Sequence, residues 1–184
     1  MMKMTPVKKL VFTAACVALC LVLPMAFHTI PNAGQIFLPM HIPVLLCGLI
    51  CGWPYGGVCG LLGPLVSSLL TGMPPAAMLP GMMLECCMYG FASGMLMKYV
   101  YTKHAVADLY ISMVCAMVFG RLVYGFANAL IFNPGVSPFA WVTGSLVTGI
   151  PGIVVQLLLM PTVVFALTKA RLIPNRYEKE KVHE

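Results

Sequence analysis

The chain has 184 residues, 60% of them hydrophobic and only 9% charged, with a mean hydropathy of +0.94. A soluble domain cannot hide that much apolar surface, so the composition excludes a soluble enzyme or binding module and predicts an all-α membrane protein. The net charge of +6 does not mark a nucleic-acid surface, because the basic residues flank hydrophobic spans, as they do at cytoplasmic membrane boundaries.

Lys3, Lys8 and Lys9 precede an apolar run over residues 10–27. No small-x-small cleavage site follows it, so the run reads as a retained first helix, 8–27, rather than a signal peptide. Ala14 and Ala18 lie four apart on one face of it, a spacing that lets a second helix approach closely. The segment HTIPNAGQIFLP (28–39) reads as an outer loop broken by Pro31, Gly34 and Pro39. Spans over 40–52 and 56–72 follow, with Trp53, Pro54 and Tyr55 as the turn between them. Gly48, Gly52, Gly56 and Gly60 recur every fourth residue, which predicts close packing on both sides of a tight cytoplasmic turn. His41 opens the second span, where a helix-end hydrogen bond and a ligand contact are both open to it. Ser67, Ser68 and Thr71 close the third span, with hydroxyls able to bond back to helix carbonyls.

After an outer turn at 71–75 comes a fourth span, 76–97. It carries Glu85, with Tyr89 one turn below on the same face. Residues 98–107 form a cytoplasmic loop, and a fifth span, 108–132, carries Arg121. Residues 133–141 form a third outer loop. A sixth span, 142–167, reads as broken at Gly149-Ile150-Pro151-Gly152, with Gln156 beyond the break. A basic tail, 169–184, ends the chain. Of the lysines and arginines, three precede the first span, two lie in the 98–107 loop, five lie in the tail and one is Arg121, leaving none for the outer loops. This asymmetry predicts one domain over residues 1–184, a compact bundle of six transmembrane helices with both termini cytoplasmic.

Cys16, Cys20, Cys47, Cys51, Cys59, Cys86, Cys87 and Cys115 all lie in apolar runs. They form no CxxC pair and none sits at zinc-ligand spacing from a histidine, so they read as small apolar packing residues. No metal site is expected, and no cofactor in this chain.

Arg121 is the informative residue. A guanidinium stays charged at any relevant pH, and holding it at a membrane helix centre costs roughly 2.5–3.5 kcal/mol by insertion scales. At 100° per residue Arg121, Tyr124 and Asn128 fall within roughly 60° of one another, a polar stripe on an otherwise apolar helix. Glu85 lies roughly 12 Å and Arg121 roughly 16 Å below the outer ends of their helices, with Gln156 near mid-depth on the sixth. Two readings stay open: a structural Glu85–Arg121 pair that ties two helices together, or a pocket opening outward.

Active transport needs an energy source, and no GxxxxGK[ST] phosphate loop is present. Nor is there an HExxH pair, a paired intramembrane aspartate or a GxS nucleophile with a partner histidine in a span, so no enzymatic activity is expected. The Ala14–Ala18 pair, the Pro/Gly-punctuated stretch LPMHIPVLLCGLICGWPYGGVCGLLGPLVSSLLTGMPP (38–75), the acidic fourth helix and six spans with both ends inside together resemble the substrate-binding S component of an energy-coupling-factor (ECF) vitamin transporter. The resemblance implies a multi-pass protein of a bacterial plasma membrane that captures a vitamin from outside. It further implies docking through Ala14 and Ala18 onto a transmembrane scaffold (T) subunit, with two partner ATPases spending the ATP. It assigns substrate contacts to Glu85, Arg121, Tyr124, Asn128 and Gln156, and His41 joins them as a candidate from its place at the head of the second span. With one aromatic, Phe37, in the first outer loop, thiamine stacking is not expected. A buried arginine favours a small carboxylated vitamin such as pantothenate, nicotinate or folate. The alternative is a stand-alone proton-coupled carrier in which Glu85 titrates.

Overall fold

The computed structural model describes residues 4–26, 33–132 and 135–173. Residues 27–32 of the first outer loop, residues 133–134 and the tail from 174 lie outside that set, as does Lys3. Among the described residues every regular element is helical: α1 (Pro6–Ala26), α2 (Ala33–Phe37), α3 (His41–Cys51), α4 (Trp53–Thr71), α5 (Leu79–Tyr99), α6 (Ala105–Ala127) continued by a π-helical turn (Asn128–Phe132), and α7 (Pro138–Lys169).

Helix α3 has 11 residues, about 16 Å of rise and roughly half a hydrocarbon core. It is completed by α2 and a connector at 38–40, and the joined stretch Gly34–Cys51 is long and apolar enough to cross a membrane. Its first part, residues 34–39, was expected to be loop and 40–52 a span. The chain bends at Leu38, whose φ is +51°, and the bend is held by His41 N–H donating to the Leu38 carbonyl at 3.0 Å. The stretches Pro6–Ala26, Ala105–Phe132 and Pro138–Lys169 are likewise long and apolar enough to span. Helices α4 and α5 have the length, 19 and 21 residues, but their glycines, serines and Glu85 dilute the hydropathy. They pack most extensively on each other, and α5 packs further on α6 and α3, while α1 and α7 are mostly exposed.

Glycine sets how closely these helices approach. Gly52, with φ +95°, is the whole turn between α3 and α4. Trp53, Pro54 and Tyr55, expected as the turn, are the first turn of α4, where a proline's missing N–H has no helical partner to lose. A Cβ on Gly56 would strike the Gly90 carbonyl and the Gly48 Cα, and one on Gly90 would strike the Gly56 backbone. Three backbones therefore meet with no side chain between them, so the four-residue glycine spacing is a packing pattern. Gly60 meets the Cys86 backbone and Gly94 the Trp53 backbone in the same way, extending the seam along α5.

Six of the eight cysteines are buried, and all eight are free thiols. Cys16 and Cys20 of α1 join Cys47 and Cys51 of α3, Cys59 of α4 and Cys86 of α5 in the core. Among the described residues no three His, Cys, Asp or Glu side chains are grouped as metal ligands would be.

Three further expectations are corrected. The serines at the end of α4 reach forward instead of back: Ser67 Oγ donates to the Met73 carbonyl at 2.7 Å and Ser68 Oγ to that of Pro74 at 2.9 Å, while only Thr71 bonds back, to Ser67. Helix α7 is unbroken for 32 residues through Gly149-Ile150-Pro151-Gly152 and Pro161, since membrane helices tolerate internal proline where neighbours satisfy the freed carbonyls. It also starts earlier than expected, at Pro138, with Ser137 as N-cap accepting from Ala140 N–H at 3.3 Å.

The glycine seam is tested by substitution. Gly90→Val should lower the thermal midpoint of the purified protein sharply or prevent folding, because backbone stands where the new side chain must go and overpacking costs about 1–3 kcal/mol or more. Gly57→Ala, whose added carbon would have its nearest neighbour at 3.9 Å, should stay within about 0.5 kcal/mol of the parent.

Candidate ligand-binding site

A cavity of about 630 Å³ opens between α2, α5, α6 and α7, within the 300–1,000 Å³ usual for small-molecule sites. On the topology read from the basic residues it lies on the outer side. One wall is the α2 segment, with Gln35 and Leu38. Met78 and Met82 come from the start of α5, and Arg121, Tyr124 and Asn128 from α6 and its π turn. Trp141, Ser145 and Thr148 come from α7, and His41 and Glu85 complete the lining. The cavity is thus apolar and methionine-rich toward α5 and polar along α6 and α7.

Arg121 sits on α6, whose regular winding puts Tyr124 on the same side. At Asn128 the helix widens to π geometry, a distortion found often at functional sites. Asn128 Nδ2 donates to the Tyr124 carbonyl at 2.9 Å, tying down the backbone at the transition. Gly120, one residue before Arg121, lies under the Tyr89 ring, and Gly149 of α7 lies opposite the guanidinium, where a Cβ would collide with Nη2. Small residues therefore carve the space that the arginine occupies.

The charges are close but loosely joined. Glu85 Oε1 lies 3.7 Å from Arg121 Nε and 3.7 Å from His41 Nε2, distances that give Coulomb attraction without a hydrogen bond. Arg121 Nη1 donates to the Ser145 carbonyl. Arg121 Nε and Nη2, Glu85 Oε1, His41 Nδ1 and Trp141 Nε1 are buried with no hydrogen-bond partner. Such groups normally find partners, and leaving one unpaired costs about 1–3 kcal/mol. Their concentration around one cavity is the main chemical signal in the molecule.

Glu85, Arg121, Tyr124, Asn128 and His41 are brought together at this cavity. Gln156 is not among its lining residues: it is 1% exposed and Nε2 reaches the carbonyl of Leu38, which does line the cavity, at 3.5 Å. It lies on the Ser145 face of α7 but about 16 Å deeper, beneath the α2 segment, and its role here is to anchor that segment. Gly152 contributes by letting the Ile36 and Phe37 backbone touch α7. His41 is a buried floor residue, 1% exposed, with its ring edge-on to Tyr89 at 4.9 Å. Trp141 was overlooked because it falls in a stretch read as loop. The Ser137-Pro138 pair, an N-cap followed by a first-position proline, is the signal that would have put it one turn inside a helix.

A family model described as "ECF transporter, substrate-specific component" matches residues 8–164. The chain belongs to that family. A search of curated proteins and a search of solved structures each give no match. A substrate-specific component is a membrane-embedded transporter subunit and not an enzyme. It takes a vitamin or other micronutrient as substrate and works with T and ATPase subunits in an ECF module. The match covers all seven helices at least in part, so the cavity, α1 and the glycine seam all fall within the component.

The Glu85–Arg121 relation can be measured in the ligand-free protein. Glu85→Gln and Arg121→Met should each cost about 3–5 kcal/mol by leaving the other charge buried alone. The double variant should cost less than the sum, and thermal unfolding of all four proteins closes the cycle.

Proposed function

We propose that this component captures a small carboxylated vitamin, of the pantothenate, nicotinate or folate kind, in the cavity at Arg121 and delivers it inward with an ECF module of the bacterial plasma membrane. The observation that carries the reading is Arg121 itself: a permanent charge, 3% exposed, whose Nε and Nη2 have no partner. A carboxylate offers a guanidinium two parallel charge-assisted bonds, the strongest contact available to it. Glu85 holds the guanidinium from one side and Ser145 from the other, and Tyr124, Asn128 and His41 complete the contact set.

Docking onto the T subunit is assigned to α1. Its outward face presents Ala14, Ala15 and Ala18, all exposed, next to the large apolar residues Val7, Leu10, Val11 and Val22. A strip of small residues framed by bulky ones accepts another helix closely.

Thermal stabilisation of the purified chain against a vitamin panel tests the ligand reading, since a ligand that binds only the native state raises apparent stability. One carboxylated vitamin should stabilise the parent and not Arg121→Ala. Stabilisation that persists in the variant, or comes only from uncharged vitamins, would remove the carboxylate assignment. For docking, Ala14→Trp together with Ala18→Trp should abolish co-purification with T and ATPase subunits and ligand uptake in vesicles, while leaving ligand-dependent stabilisation of the isolated chain unchanged.

A further inference from the structure

The carboxylate accounts for Arg121, yet a second donor of the cavity wall also lacks a partner. Trp141 Nε1 is buried without a hydrogen bond, on α7, while Arg121 is on α6. Two neighbouring polar side chains of that wall are already engaged. Ser145 Oγ donates to the Val142 carbonyl at 3.0 Å and Asn128 Nδ2 to that of Tyr124 at 2.9 Å. An indole N–H can only donate, so its partner must be an acceptor. The indole meets the Tyr124 ring edge-on at 6.4 Å, and α6 and α7 are in backbone contact beside it, where a Cβ on Gly125 would strike Pro138 O and the Val142 side chain. Met78 and Met82 line the same cavity from α5 and offer polarizable thioethers to a ring or an amide plane.

We propose that Trp141 is the second recognition point of the site, and that the substrate is an acid carrying a separate uncharged acceptor, a ring nitrogen or a carbonyl, that takes the Trp141 N–H while its carboxylate takes Arg121. This rests on the carboxylate reading of Arg121 and narrows it: a plain carboxylic acid that pairs with the guanidinium brings no separate acceptor for the Trp141 N–H. Trp141 is then a specificity residue. A site built to hydrogen-bond a ligand group discriminates against analogues that lack that group more strongly than an apolar wall does.

Matched acids make the test possible before the natural substrate is known. Nicotinate and benzoate differ in the ring nitrogen; N-acetyl-β-alanine and hexanoate differ in the amide. Binding of each to the full purified chain is measured by thermal stabilisation and calorimetry, on the parent, Trp141→Phe and Arg121→Ala. In at least one pair the parent should prefer the acceptor-bearing acid by about tenfold, and Trp141→Phe should erase that preference by weakening that acid alone. Arg121→Ala should abolish binding of both members. A parent that binds both members of each pair equally overturns the inference without recourse to any variant, which covers the case of a Trp141→Phe protein that does not fold. A preference that survives Trp141→Phe also overturns it. In either case Arg121-dependent binding would leave the carboxylate reading standing. If no acid of either pair binds the parent, the carboxylate reading fails and this inference fails with it.

Discussion

A charge that cannot be removed has to be housed, and the upper half of this bundle is arranged around that requirement. Arg121 is held from below by Glu85 and from the side by the Ser145 carbonyl, while Gly149 gives up its side-chain volume to make room. Glu85 comes from α5 and Ser145 and Gly149 from α7, so the single Arg121 side chain of α6 ties three helices together. Moving any of the three would strand a charge in a low-dielectric interior, at a cost well above that of losing one apolar contact. The cavity is the space left when three helices converge on one guanidinium without closing over it.

Below that level the constraint changes from charge to contact. Lipid tails are as apolar as leucine, so burying apolar surface does little to hold α3, α4 and α5 together, and close van der Waals approach must supply the attraction. Gly48, Gly56 and Gly90 provide it by bringing backbones together. The buried thiols fill the remaining gaps with compact, weakly polar side chains. The two regions are complementary: a dense, side-chain-poor seam supports a looser, polar chamber. A chamber with unmet hydrogen bonds needs such support, because its own contacts do not stabilise the empty protein.

Much of this was legible in the sequence, because the signals were local or global. The high apolar content marked a helical membrane protein, the four-residue glycine spacing marked the seam, and helical periodicity joined Arg121 to Tyr124 and Asn128. The unread features depend on distance between segments. Five residues of α2 are too few to show a period, and what makes them structural is Gly152 and Gln156, well over a hundred residues away. Gln156 lies on the Ser145 face of its helix but deeper, and one-dimensional spacing does not reveal which neighbouring segment covers it. The unbroken α7 defeats a rule learned from water, where proline and glycine end helices. In a bundle, packing neighbours keep the helix going.

The orphaned atoms bear on which of the two readings of Arg121 is the better. An arginine that served only to join helices would be expected to meet its carboxylate in a short bidentate pair, which satisfies both groups at once. Here Glu85 stands 3.7 Å from Nε, and Nη2 lies against Gly149 without a hydrogen-bond partner. Natural chains seldom keep several unmet buried groups, and where they do the site usually has work that a satisfied structure would not perform. The empty state is destabilised locally, and a ligand that supplies the missing acceptors recovers that free energy on binding. On the carboxylate reading, the same unmet bonds that weaken the free component are the source of its affinity.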